Sequence, residues 1–101
     1  MKFKNIETEI TMQINEQGDK KTFGYFDIAL IGLNSRPQDG WTVKDMKDRF
    51  KLIDKLEGKE LGKSIEISQE ELDVIKSSNN IKWNIMHKDI ITYDDYIGKL
   101  K

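Results

Sequence analysis

One histidine and no cysteine set the limits on the chemistry this chain can do. Without cysteine there is no disulfide framework, no thiolate metal ligand and no thiol nucleophile. The lone His87 rules out any site built on two imidazoles. Asp89 lies close to it in sequence, but no second histidine completes a ligand set. General acid–base catalysis needs a titratable pair that converges in a sheltered place. The adjacent pairs Glu70-Glu71 and Asp94-Asp95 would point about 100° apart on a helix and do not converge. Glu70 and Glu71 suit a helix first turn, where the backbone dipole favours acids. Gly58 and Gly62, with Lys59 and Lys63, match neither phosphate-loop nor dinucleotide spacing and read as a turn. The expectation is a chain that is not an enzyme and holds no metal and no cofactor.

Recognition surfaces are the next possibility. Lys44, Lys47, Lys51 and Lys55 fall within about a quarter of the circumference of one helix, beside its apolar stripe. Such a face can meet phosphates or an acidic partner, yet Asp48 and Asp54 dilute its field, and a solvated lysine face is the plainer account. The aromatic interleaving that single-strand binding uses is missing there. Trp41 precedes the helix cap and reads either as a staple onto the first turns or as an exposed anchor for a partner, with packing favoured. Trp83 and His87 are four apart, so on a helix they would share a face. That pair is a recognition spot, a pH-sensitive contact or, more simply, a half-buried histidine packed on an indole. Tyr93 and Tyr96 would sit on neighbouring turns of one face, and read either as anchors for association or as part of a segment that completes the monomer core.

Several elements must position these groups. Ile6, Thr8, Ile10, Met12 and Ile14 alternate with polar residues, which predicts a strand with one buried face. A turn over 15–19 follows, with Gly18 free to take positive φ. Phe23, Phe26, Leu30 and Leu33 have helical spacing, and a helix capped by Thr22 is favoured. Gly24 and Gly32 argue against it, and a hairpin strand over 26–31 is the alternative. Residues 34–40 form a loop with the only proline, Pro37.

The clearest helix runs from Thr42 to Leu56. Thr42 is the cap, Asp45 occupies the third helical position and Gly58 is placed to end it. Its stripe of Val43, Met46, Phe50, Ile53 and Leu56 predicts a core face, although the spacing also suits a helix–helix contact across a dimer. If Phe50 centres the core face, Phe50→Ala costs about 3–5 kcal/mol, whereas Lys51→Ala costs less than about 0.5 kcal/mol. A short strand over Ser64–Ile67 is expected to pair with the N-terminal strand. Ser68 and Glu71 form a capping box for a helix through Lys76, which residues 77–80 should break. A closing helix is expected in the tail, with a fresh start at Thr92.

The length of 101 residues suits one domain over 1–101, the net charge is -1, and charges of both signs are spread evenly over the two halves, with no basic or acidic tail. No apolar run reaches the length of a membrane span, and Met1–Lys4 leads into no signal-peptide core. The fold class is therefore α+β: a small, mainly helical domain whose short N-terminal strand pairs with a second short strand. Lysine-rich, isoleucine-rich and alanine-poor composition points to an AT-rich coding genome.

Between Lys21-Thr22-Phe23-Gly24-Tyr25-Phe26-Asp27-Ile28-Ala29-Leu30 and Asp54-Lys55-Leu56-Glu57 a layout emerges. A strand leads into a Thr-led apolar segment with an Ala-Leu pair and then an amphipathic helix. A Ser-x-x-Glu helix follows, and Trp83 opens the closing segment. This layout, over most of the chain, resembles small bacteriophage and prophage proteins, and it carries no functional residue over. The resemblance implies a cytoplasmic accessory or assembly protein of a bacterial host, acting through protein contacts. A homo-oligomer is expected. The alternative is a regulator or anti-defence factor that binds a nucleotide or nucleic acid through Lys44, Lys47, Lys51 and Lys55.

Overall fold

The computed structural model describes residues 1–13, 15–37 and 39–100. Three short strands come first: β1 (Lys2–Lys4), β2 (Glu7–Gln13) and β3 (Lys20–Gly24). Helices α1 (Tyr25–Asn34) and α2 (Val43–Leu56) follow, then β4 (Ser64–Glu66), α3 (Gln69–Ser78) and α4 (Lys88–Lys99). The fold is α+β, with two antiparallel two-stranded sheets, β1–β4 and β2–β3.

The N-terminal strand that meets β4 is not the long alternating one. Lys2 pairs with Glu66, Phe3 with Ile65 and Lys4 with Ser64. The alternating segment instead folds back on β3 as a hairpin, with Gly18 at φ 86° in the turn. A short local turn closes at less entropic cost than a pairing across fifty residues. The end of the expected strand at Ile14 lies outside the described residues. Along β2 the buried face holds at Thr8 and Ile10 but opens at Met12, which is 46% exposed. The register slips between Glu7 and Thr11. There the Thr8 hydroxyl donates to the Phe23 carbonyl at 2.7 Å and accepts from Ile10 N–H at 3.1 Å, replacing ladder bonds.

The segment after the turn is strand first and helix second. Thr22 belongs to β3, and Gly24 rather than Thr22 is the helix cap. Asp27 Oδ2 accepts the Gly24 N–H at 2.8 Å, an acid at the positive end of α1. Gly24 is buried, and a Cβ there would collide with the Asn5 side chain, so the position needs glycine. Asn5 is itself buried between β1 and β2. Its amide donates to the Lys59 and Glu60 carbonyls and accepts the Phe26 N–H at 2.9 Å, tying three segments together.

Helix α1 sits at the centre of the core, touching α2, α3 and α4. It buries Phe26, Ile28, Ala29 and Leu33, while Phe3 packs edge-on against Phe26 with ring centroids 5.0 Å apart. Tyr25 packs against both Tyr93 and Tyr96 from α4. Both expected capping boxes form: Thr42 with Asp45 on α2, and Ser68 with Glu71 on α3. Helix α3 runs two residues past Lys76 before Asn79 ends it.

Two expectations about phase are corrected. The apolar stripe of α2 is not a core face along its length. Leu52 and Leu56 are buried, whereas Val43, Met46 and Phe50 are exposed, Phe50 by 62%. Helix α2 therefore docks through the row containing Leu52, and Phe50 faces solvent. Helix α4 starts at Lys88 rather than Thr92, because His87 caps it: Nδ1 accepts the Asp89 N–H at 3.0 Å. Trp83 and His87 lie on irregular chain before α4 and share no helix face.

Candidate functional site

Helix α2 begins at its own cap. Thr42 Oγ1 accepts the Asp45 N–H and Asp45 Oδ2 accepts the Thr42 N–H, which fixes where the helix begins, while docking through Leu52 and Leu56 sets which residues look outward. Trp41 stands just before the cap and Met46 is the fourth helical residue, the two positions of a hydrophobic staple. Both line one cleft of about 260 Å³, with Leu33, Asn34, Arg49, Phe50 and Ile53. Trp41 lines this cleft beside Met46 and is 38% exposed.

Arg49 forms one side of this cleft and is already committed. Its Nη1 donates to the carbonyls of Leu33 at 2.9 Å, Gly32 at 3.3 Å and Ser35 at 3.4 Å. A cation at the C-terminal end of α1 meets the negative end of that helix. What remains open to a partner is apolar: Trp41, Met46, Phe50 and, further along the row, Val43. Sequence periodicity finds Val43, Met46 and Phe50 but assigns them first to the core, with a helix–helix contact as the alternative. Arg49 carries no sequence signal for its role, since its three acceptors are backbone groups.

The lysine face is less basic than its sequence suggests. Lys44 pairs with Asp48 at 2.9 Å and Lys55 with Glu71 at 2.7 Å. The hydrogen bond and charge of Asp48 hold the Lys44 ammonium above its ordinary pKa. Lys47 and Lys51 form no ion pair among the described residues. A broader cleft of about 520 Å³ between α2 and α3 includes Lys44 and Lys51, but also Asp48, Glu70, Glu71 and Asp73. Those carboxylates oppose binding of a phosphate.

The other sequence-derived candidates are scattered. Tyr93 is fully buried and cannot be a surface anchor, because α4 turns its aromatic face onto Tyr25 and Phe3. Burial drives its phenol far above the ordinary range. Tyr96 is half-buried at the edge of the same cluster, its hydroxyl accepting the Lys4 N–H at 3.0 Å. Trp83 is half-buried against the core. On the C-terminal segment, Met86 and Ile91 are the large apolar residues left exposed among those described.

His87 and Asp89 do acquire a third polar partner that sequence could not show, Glu9 from β2. Ligand atoms of Glu9, His87 and Asp89 come within 4.8 Å of one another, an arrangement that could hold a cation. Its groups are engaged in another way. Asp89 Oδ2 accepts the Glu9 N–H at 2.7 Å, Lys88 Nζ lies 3.3 Å from Glu9 Oε2, and His87 Nδ1 receives the cap hydrogen bond. A neutral His87 that accepts at Nδ1 carries its proton on Nε2, so neither ring nitrogen is free to ligate while the cap is intact. The cluster reads as a clasp between β2 and the start of α4.

The fold and this surface together define a small α+β domain that presents an exposed apolar and basic helix face. No family model, curated protein or solved structure matches the chain. Among the described residues, no helix is long and apolar enough to cross a membrane.

Proposed function

We propose that this chain is a non-enzymatic protein-binding domain whose contact surface is the outer face of α2. The observation that carries this is Phe50, 62% exposed, in line with exposed Val43 and Met46 and beside Trp41 at an open cleft. Large apolar side chains grouped on one face, rather than scattered singly, mark a contact site. Trp41 is the kind of residue that anchors such contacts. The resemblance to small bacteriophage and prophage proteins supports an accessory or assembly role in the cytoplasm of a bacterial host. Binding of a nucleotide or nucleic acid through the lysines is the weaker alternative, because Asp48 and Glu71 already hold two of the four.

A photo-reactive phenylalanine analogue at position 50, compared with the same group at exposed position 99, tests the proposal in cells that produce the protein. The expected result is strong cross-linking to protein from position 50 and little from position 99. Equal or negligible yields from both positions would refute it.

A further inference from the structure

The proposed contact face says something about its occupant through two charges at its edge. At about 100° per residue, Val43, Met46 and Phe50 fall within about 60° of arc, and Lys47 and Asp54 both lie on the same flank of that row. Neither Lys47 nor Asp54 takes part in an ion pair among the described residues. Lys47 has no carboxylate one turn away in either direction, its neighbours there being Val43, Lys44, Phe50 and Lys51. The two charges are seven residues apart, about 10.5 Å along the axis, too far to meet within one helix.

Resting on the protein-binding reading, we infer that the occupant is a second copy of this chain, with two α2 helices antiparallel across a two-fold axis between residues 50 and 51. In a two-fold contact, if residue i meets residue j, then j meets i. An axis at that point sets Lys47 of each copy level with Asp54 of the other, so the same flank supplies two reciprocal ion pairs. It also sets the two Phe50 rings side by side across the axis, with Met46 of one copy beside Ile53 of the other. Lys51 points further round the helix and is not driven against its counterpart. In a parallel pair the two-fold axis would carry this flank to the opposite edge of the contact in the partner, so Lys47 and Asp54 of the two copies would not meet, and the charges favour the antiparallel arrangement.

The contact is one helix face wide, at the small end of specific interfaces, so association in the micromolar to millimolar range is expected. Sedimentation equilibrium from about 1 µM to 1 mM at low salt, where rim charges are least screened, reads it directly. Lys47→Glu alone and Asp54→Lys alone each replace two attractions by two repulsions and should weaken self-association about tenfold. An equimolar mixture of the two variants should recover wild-type strength, because each charge then meets its opposite in the heterodimer. Both positions are exposed, and unchanged melting of each variant separates lost association from lost folding.

A wild-type chain that stays monomeric at 1 mM, or a mixture no stronger than its components, overturns the inference. The position-50 cross-linker distinguishes this from failure of the broader reading. Cross-links to a different protein leave a protein-binding face without self-association, and no cross-links remove both.

Discussion

Phe50 and Leu52 are two residues apart on α2 and face opposite surroundings, since a step of two turns a helix by about 200°. Leu52 is buried, so Leu52→Ala removes packed methyl groups and should cost about 2–5 kcal/mol. Phe50→Ala should cost less than about 1 kcal/mol, because the ring loses little buried area. Urea unfolding of the two variants checks this, and equal losses would reverse the assigned phase. Asn5 illustrates a different dependence. Its side chain satisfies two carbonyls and one N–H that no other side chain reaches. Asn5→Ala should cost about 2–3 kcal/mol, since buried backbone groups would be left unpaired. Nothing in the sequence marks this asparagine, because its partners lie about twenty and fifty-five residues away. Tyr93 behaves in the opposite sense. Its buried hydroxyl has no hydrogen-bond partner among the described residues, so Tyr93→Phe should be neutral or stabilising by up to about 1 kcal/mol. A clear loss of stability on calorimetry would show that the hydroxyl is satisfied in solution.

At the level of elements, what the sequence discloses is what is local. The Thr42–Asp45 and Ser68–Glu71 boxes are complete within four residues, and both helices begin where those residues place them. Helix phase is harder, because α2 carries two adjacent apolar rows. Val43, Met46 and Phe50 form one, Leu52 and Leu56 the other, with Ile53 between them. Periodicity detects that apolar residues recur but not which row α1 and α3 cover. The start of α4 was hidden for another reason: histidine is an uncommon cap, and Thr92 has the more usual chemistry. The β1–β4 pairing joins two three-residue strands across sixty residues, beyond any local pattern. Glycines show the same divide. Gly32 looks like a weak point in α1, yet a Cβ there would lie 2.8 Å from the Ser78 carbonyl oxygen, so the residue lets α1 and α3 approach closely. Gly32→Ala should therefore destabilise by about 1–3 kcal/mol, although alanine is the better helix former. A rise in melting temperature would mean that the two helices can move apart freely.

Over the whole molecule, strand alternation and helix spacing carry the α+β class but leave the surface unread, since an exposed apolar row differs from a core row only by what packs against it. The same is true of charge. A net charge of -1 conceals the Lys55–Glu71 bridge that links α2 to α3 at 2.7 Å. Burial pushes the Glu71 carboxyl up, but the hydrogen bond from Lys55, the Ser68 N–H and the Lys55 charge outweigh it and hold its pKa below the ordinary 4.5. A carboxyl with a depressed folded-state pKa contributes stability that is fully present above its unfolded value and disappears as pH falls through the folded one. The bridge should thus support the fold at neutral pH and stop doing so progressively below about pH 4.5. Glu71→Gln isolates the charge, because glutamine can still complete the capping box with Ser68. The variant should be less stable than the wild type at pH 7, and the gap should narrow steadily as pH falls below about 4.5. Chemical unfolding of both proteins from pH 7 to pH 3 measures that gap. If it stays constant over the whole range, the ionised Glu71 contributes nothing beyond its role in the cap, and α2 and α3 are held together by Leu52, Leu72 and their apolar neighbours alone.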